Sequence, residues 1–221
     1  MIDMSSSDLD TTRDLGRRLA KRGVAMLDSP VSGAKAKAKD GTLPLMVGSD
    51  PKALKRARPV LLAMGNAIFP PGALGSSHVV KALNNYLGAA DTITGFEALL
   101  IGDAYGLDTK VMVDAINAST GKNSTTERKI PQQVFIGAFA SGFLLSLMAK
   151  DVGIAEGLAK RTKVPAPYLA ATLRIWRDAA LKLRPCADHT ELYHYLRRLK
   201  PPSRAAVSRP ARSRLRPRRP S

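Results

Sequence analysis

With one cysteine in 221 residues, Cys186, the chain can form no internal disulfide, which fits a reducing compartment. It also has no long apolar run. The most apolar window, 134–149, is interrupted by glycines and serines and followed at once by Lys150-Asp151, too short to span a bilayer. The opening Met-Ile-Asp-Met-Ser-Ser-Ser-Asp has neither the basic start nor the apolar core of a signal peptide. A soluble, cytoplasmic protein with no membrane partner is expected. No His/Asp/Glu cluster has metal-ligand spacing, so no metal is expected either. Nowhere does a strand lead through Gly-x-Gly-x-x-Gly into a helix, the usual cradle for a dinucleotide's pyrophosphate. Finally, the last 21 positions contain no acid while holding seven arginines, part of a net charge of +17. Such a tail binds polyanions through counterion release or is an unfolded extension without a partner. Nucleic acid is therefore expected as a partner only through residues 201–221.

What is present divides in two. The first seventy residues alternate short apolar runs with helical stretches. The pattern predicts the end of a strand at 1–4 and short strands at 24–27, 43–47 and 66–69, with helices over 8–22 and from Pro51 to about Met64. Alternation of this kind implies a mostly parallel sheet, and the segment from Asp28 to Ala34 reads as a loop. After Pro70-Pro71-Gly72 the pattern changes. A proline-free run from Ser76 to Tyr105, stopped by Gly106, predicts one helix of about 45 Å, long enough to bridge two regions. Helices are predicted beyond it over 108–118, 142–161, 165–183 and 188–199, with Asp108 and Asp188 as N-caps.

Two segments could carry chemistry. His78, Lys81 and Asn85 are spaced by three and four, so they share one face of the long helix near the change of pattern. A lysine held near a substrate and partly desolvated can exchange protons close to neutral pH. The second is the loop Asp28-Ser29-Pro30-Val31-Ser32-Gly33-Ala34, where a hydroxyl and bare backbone N–H groups can face a carboxylate.

Asp-x-Pro-Val-Ser-Gly, Gly-Thr-Leu, Met-Val-Gly, Gly-x-x-x-x-x-Lys-x-x-Asn-Asn, Glu-Ala-Leu, Gly-Leu-Asp, Gly-Phe and Lys-Asp follow one another in order and spacing from about residue 1 to residue 199. In this the chain resembles the β-hydroxyacid dehydrogenases, the family of 3-hydroxyisobutyrate and 6-phosphogluconate dehydrogenases. The resemblance implies a fold in two parts. Residues 1–73 would be the later part of a Rossmann-type α/β domain, whose first βαβ region would precede Met1. Residues 74–200 would be an all-helical cofactor-binding and dimerisation domain joined through the long helix, and 201–221 a disordered basic tail. It implies oxidation of a small 3-hydroxy acid with NAD or NADP, in a homodimer or homotetramer. Lys81 matches the catalytic lysine, and Asn85 the asparagine that orients it and binds substrate. Ser32 and Gly33 match the loop that holds the substrate carboxylate, so Ser32 and Lys81 are expected to face one cleft. Ser6 and Lys150 match residues at the cofactor. Asn84 is expected to pack or hydrogen-bond within the fold, and His78 to stand behind the site. The sequence departs from the family pattern at Ala34 and Ser77, where glycines are usual. A second reading is a catalytically inert fragment or scaffold whose basic tail binds nucleic acid or another polyanion.

Overall fold

The computed structural model describes residues 1–199, so the basic tail expected at 201–221 lies outside the described residues. In the first part, strand β1 (Ile2–Asp3) leads into helix α1 (Leu9–Ala20), whose N-cap Asp8 accepts the amides of Asp10 and Thr11 at 2.9 and 3.1 Å. Strand β2 (Leu27–Asp28), helix α2 (Ala34–Lys39), strand β3 (Pro44–Gly48), helix α3 (Pro51–Leu62) and strand β4 (Ala67–Gly72) follow. Pro51 opens α3 as its composition predicts, with Asp50 capping the amides of Lys52 and Ala53, both at 2.9 Å.

The sheet order is β1-β2-β3-β4, and as expected it is mostly parallel, in two of its three strand pairs. β1–β2 and β3–β4 are parallel, but Asp28 pairs with Gly48 in an antiparallel β2–β3 pair that continues in a Val31–Leu45 bridge. The six residues of α2 are too few for the crossover that parallel strands require, so the chain folds back on itself. The bounds of the strands expected at 24–27 and 66–69 are corrected. Val24 is exposed, the pairing begins at Leu27, and β4 runs through Pro70-Pro71, which an edge strand tolerates because its outer side needs no N–H donors. Leu27, Leu43, Leu45, Val47, Ala53, Ala57 and Leu61 form the core of this part.

Helix α4 (Ser76–Tyr105) has the predicted bounds, ending at Gly106 with φ 92°. Around it pack α5 (Thr109–Asn117), a π-helix (Thr125–Val134), α6 (Leu145–Thr162), α7 (Pro167–Lys182), a 3₁₀ turn (His189–Glu191) and α8 (Leu192–Arg198). Asp108 caps α5, and Asp188 forms a capping box with Glu191. Their core is built on Phe96, Ile130, Leu145, Val152, Leu173, Trp176 and Leu192, and Leu9 from α1 joins it. No helix among the described residues is long and apolar enough to cross a membrane.

Candidate active site

The site is built from the end of β2 upward. Asp28 is fully buried, and its two carboxylate oxygens accept the backbone N–H of Gly75 at 2.6 Å and of His78 at 3.0 Å. A carboxylate from the sheet thus caps the first turn of α4, where free amides and the helix dipole favour negative charge. Gly48 makes room for it, and Gly75 lets the turn pass close to α1. A Cβ at Gly48 would sit 2.2 Å from Asp28 Oδ1, and one at Gly75 would sit 2.3 Å from Leu9 Cδ1, at a φ of 92°. His78 stands behind this contact, its ring buried and 3.5 Å from Asp3 Oδ2.

One turn further along α4, Lys81 is half-buried. Burial holds its pKa below the usual lysine value; the Asp151 carboxylate works against that, and the Lys150 ammonium adds to it. Asn85, a turn beyond, is buried and donates from Nδ2 to Asp151 Oδ2 at 2.6 Å, while its Oδ1 accepts the exposed Asn84 side chain at 3.1 Å. Asp151 is buried on α6, and the ammonium of Lys150 lies 3.0 Å from its other oxygen. The same ammonium donates to the carbonyl oxygen of Ser6 at 2.8 Å. Asn85 and Lys150 thus contact one buried acid, Asp151, whose charge also acts on Lys81, and Lys150 ties in the Ser6 segment. Ser6 takes part through its backbone carbonyl.

Asp151 is the residue that sequence reasoning passed over. Its signal was the Lys-Asp pair, in which only the lysine drew notice. Ser32 and Gly33 lie half-buried where the chain leaves β2, with Gly33 at φ 110° and Pro30 accepting the amide of Met46 at 3.3 Å. Among the described residues no hydrogen bond joins Ser32 to Lys81. What ties their segments is Asp28, four residues before Ser32 and bonded to the turn that leads into Lys81.

Beside Lys150 a cavity of about 400 Å³ opens between Asp8, Gly153, Gly157 and Arg177. A roomier hollow of about 470 Å³, lined by Leu107, Val111, Met112 and Ile116, lies past the far end of α4, away from these polar groups. Lys150, its side chain 47% exposed, lines the first cavity together with two glycines. No Gly-x-Gly-x-x-Gly occurs in the sequence to hold a dinucleotide's pyrophosphate.

Two family models match consecutive parts of the chain. Residues 1–74 match the NAD binding domain of 6-phosphogluconate dehydrogenase, and residues 75–196 the NAD-binding domain of NADP-dependent 3-hydroxyisobutyrate dehydrogenase. Among curated relatives, the 2-(hydroxymethyl)glutarate dehydrogenase of Eubacterium barkeri is 34% identical over 176 residues, covering 80% of this chain and 58% of its own length. The NAD-dependent L-serine dehydrogenase of Pseudomonas aeruginosa is 38% identical over 183 residues, covering 80% and 61%. The chain thus spans about three fifths of the length of each. A solved 3-hydroxyisobutyrate dehydrogenase of Mycobacterium tuberculosis, in complex with L-serine, superposes with a TM-score of 0.80 at 31% identity, over 89% of this chain and 69% of that one.

Proposed function

The chain belongs to the β-hydroxyacid dehydrogenase family, and from that premise we propose that it oxidises a small 3-hydroxy acid with NAD or NADP, or reduces the matching semialdehyde. The observation that carries this reading is the half-buried Lys81 amine, its pKa lowered by burial, beside the Asn85–Asp151–Lys150 group. The names of three relatives describe one chemical pattern. 3-Hydroxyisobutyrate, L-serine and 2-(hydroxymethyl)glutarate all have the form HOCH₂–CHX–COO⁻, differing only in X.

In this reading Ser32 and the backbone at Gly33 hold the carboxylate. Neutral Lys81 takes the proton of the primary hydroxyl, and in the reverse direction its ammonium returns it. Asn85, fixed by Asp151, orients the hydroxyl and the amine. Lys150, anchored on the Ser6 carbonyl, stands where the cofactor meets α6. When bound, the nicotinamide supplies the hydride acceptor for oxidation and the donor for reduction. The loss of one O–H proton and one C–H hydride converts the alcohol to the aldehyde, and geometry supplies much of the rate. We also propose that the chain works as a homo-oligomer, because the outer face of α4 presents Leu83, Leu87, Ile101 and Tyr105 to solvent.

The test follows nicotinamide absorbance with the three acids and either cofactor. Turnover of at least one is expected. Lys81→Met should lower kcat by about 10²- to 10⁴-fold, the usual contribution of a positioned acid–base group. No turnover of any acid, or a Lys81→Met protein as fast as the parent, would sink the reading.

A further inference from the structure

The mechanism leaves one half-buried cation unused. Lys129, on the π-helix, extends into the helical part toward α4, where its ammonium lies 2.5 Å from Thr92 Oγ1, 3.3 Å from Thr125 Oγ1 and 3.3 Å from the Gly88 carbonyl oxygen. All three acceptors are neutral. Among the described residues no carboxylate forms an ion pair with it, and the nearest electrostatic relief is Asp91. Burial pushes its pKa down to about 8, and Arg128 works in the same sense. A buried ammonium without an anion costs several kcal/mol in general, so such a group is poised to receive one.

Its place relative to the proposed site is informative. Lys81, Asn85, Gly88 and Thr92 follow at spacings of four, three and four, so they line one face of α4. Gly88 lies about 10 Å along the helix from Lys81 at 1.5 Å per residue, and Asn85 lies between them. A Cβ placed on Gly88 would meet no atom within 4 Å, so the helix is open there. The Gly88 carbonyl is already served by the Thr92 hydroxyl at 2.7 Å. The donor that Lys129 directs at it is therefore the one it can lend to a ligand.

We propose that Lys129 is a specificity residue that binds an acidic group on the X arm of the substrate, selecting 3-hydroxy acids with a second carboxylate. The inference rests on the proposed function, since it takes the hydroxyl to sit at Lys81. The first carboxylate goes to Ser32, the hydroxyl to Lys81, and the arm runs along the open face beside Asn85 to the ammonium.

The test compares 2-(hydroxymethyl)glutarate, whose X ends in a carboxylate, with 3-hydroxyisobutyrate, whose X is a methyl group, on the parent chain, Lys129→Met and Lys129→Arg. Methionine keeps most of the unbranched stem and removes the ammonium, and the thermal midpoint checks that the variant folds. The parent should favour the dicarboxylate. Lys129→Met should weaken its apparent affinity, read as KM, by about ten- to a hundred-fold, the loss expected for one charge-assisted hydrogen bond. The methyl-bearing acid should change by no more than about twofold in the same variant. Lys129→Arg should restore part of the preference. Equal losses for both acids, or no preference in the parent, would overturn the proposal and leave Lys129 a staple between the π-helix and α4. Should the parent turn over neither acid, the fault lies with the assigned reaction, and calorimetric titration of the same two acids then decides. Binding of the dicarboxylate that Lys129→Met abolishes upholds the specificity role, and equal binding or none rejects it.

Discussion

Asp151 and Lys150 pull the Lys81 amine in opposite senses, and this gives the site a signed pH dependence. Oxidation needs Lys81 neutral, so kcat rises with pH through the Lys81 pKa, which burial holds below the ordinary lysine value. Asp151→Asn removes the charge that raises this pKa, so the midpoint of the kcat profile should move to lower pH. Lys150→Gln removes the charge that lowers it, so the midpoint should move to higher pH. Shifts of the two variants in the same direction would contradict this electrostatic account. At this scale the sequence was informative but incomplete. Lys81, Asn85, Ser6 and Lys150 could be named from motifs, and the structure joins Asn85 and Lys150 to Asp151, Ser6 to Lys150, and sets Lys81 within the field of Asp151. Asp151 itself was hidden because its importance comes from what it touches 66 residues away, which spacing along one helix cannot reveal. The hydroxyl of Ser6 suggested a side-chain role, yet its carbonyl makes the contact with Lys150.

Among the elements, α4 was the most legible. A proline-free run between Gly75 and Gly106 leaves little choice about where a helix starts and stops, and the bounds agree. The strands were less so. β1 and β2 are two residues each, too short to show alternation, and the antiparallel turn depends on the brevity of α2, a helix the sequence pattern did not predict. The π-helix was not foreseen at all, because Pro131 interrupts it and its i to i+5 bonding breaks the helical period sought in the sequence. The cap on α4 was equally hidden, since Asp28 is 47 residues from Gly75. Its weight can be measured. Asp28→Ala strands two buried amides and should cost about 1–3 kcal/mol in chemical denaturation. It should also lower activity by letting the turn before Lys81 drift. A variant as stable as the parent would show that α4 does not depend on this carboxylate.

At the scale of the whole molecule, the two parts have separate apolar cores, and α4 links them while leaving its outer face bare. Leu87 and Ile101 are 62% and 69% exposed and stand fourteen residues apart, close to the same side of the helix; Tyr105, a turn past Ile101, is 76% exposed. A stripe of this kind should be covered by a second copy. Sedimentation of the parent chain is expected to show a dimer or larger species, and Leu87→Glu with Ile101→Glu should yield a monomer. A monomeric parent at micromolar concentration would refute the idea. The contact between the two parts of one chain is of another kind. From α6, Lys150 reaches the Ser6 carbonyl and Arg161 reaches the Asp10 carboxylate at 2.6 Å, two moorings about 16 Å apart along the helix. The second joins two exposed ions and weakens as counterions crowd in, whereas the first ends on a neutral oxygen and responds less. Raising ionic strength should therefore weaken the Arg161 mooring more than the one that Lys150 makes with a neutral oxygen.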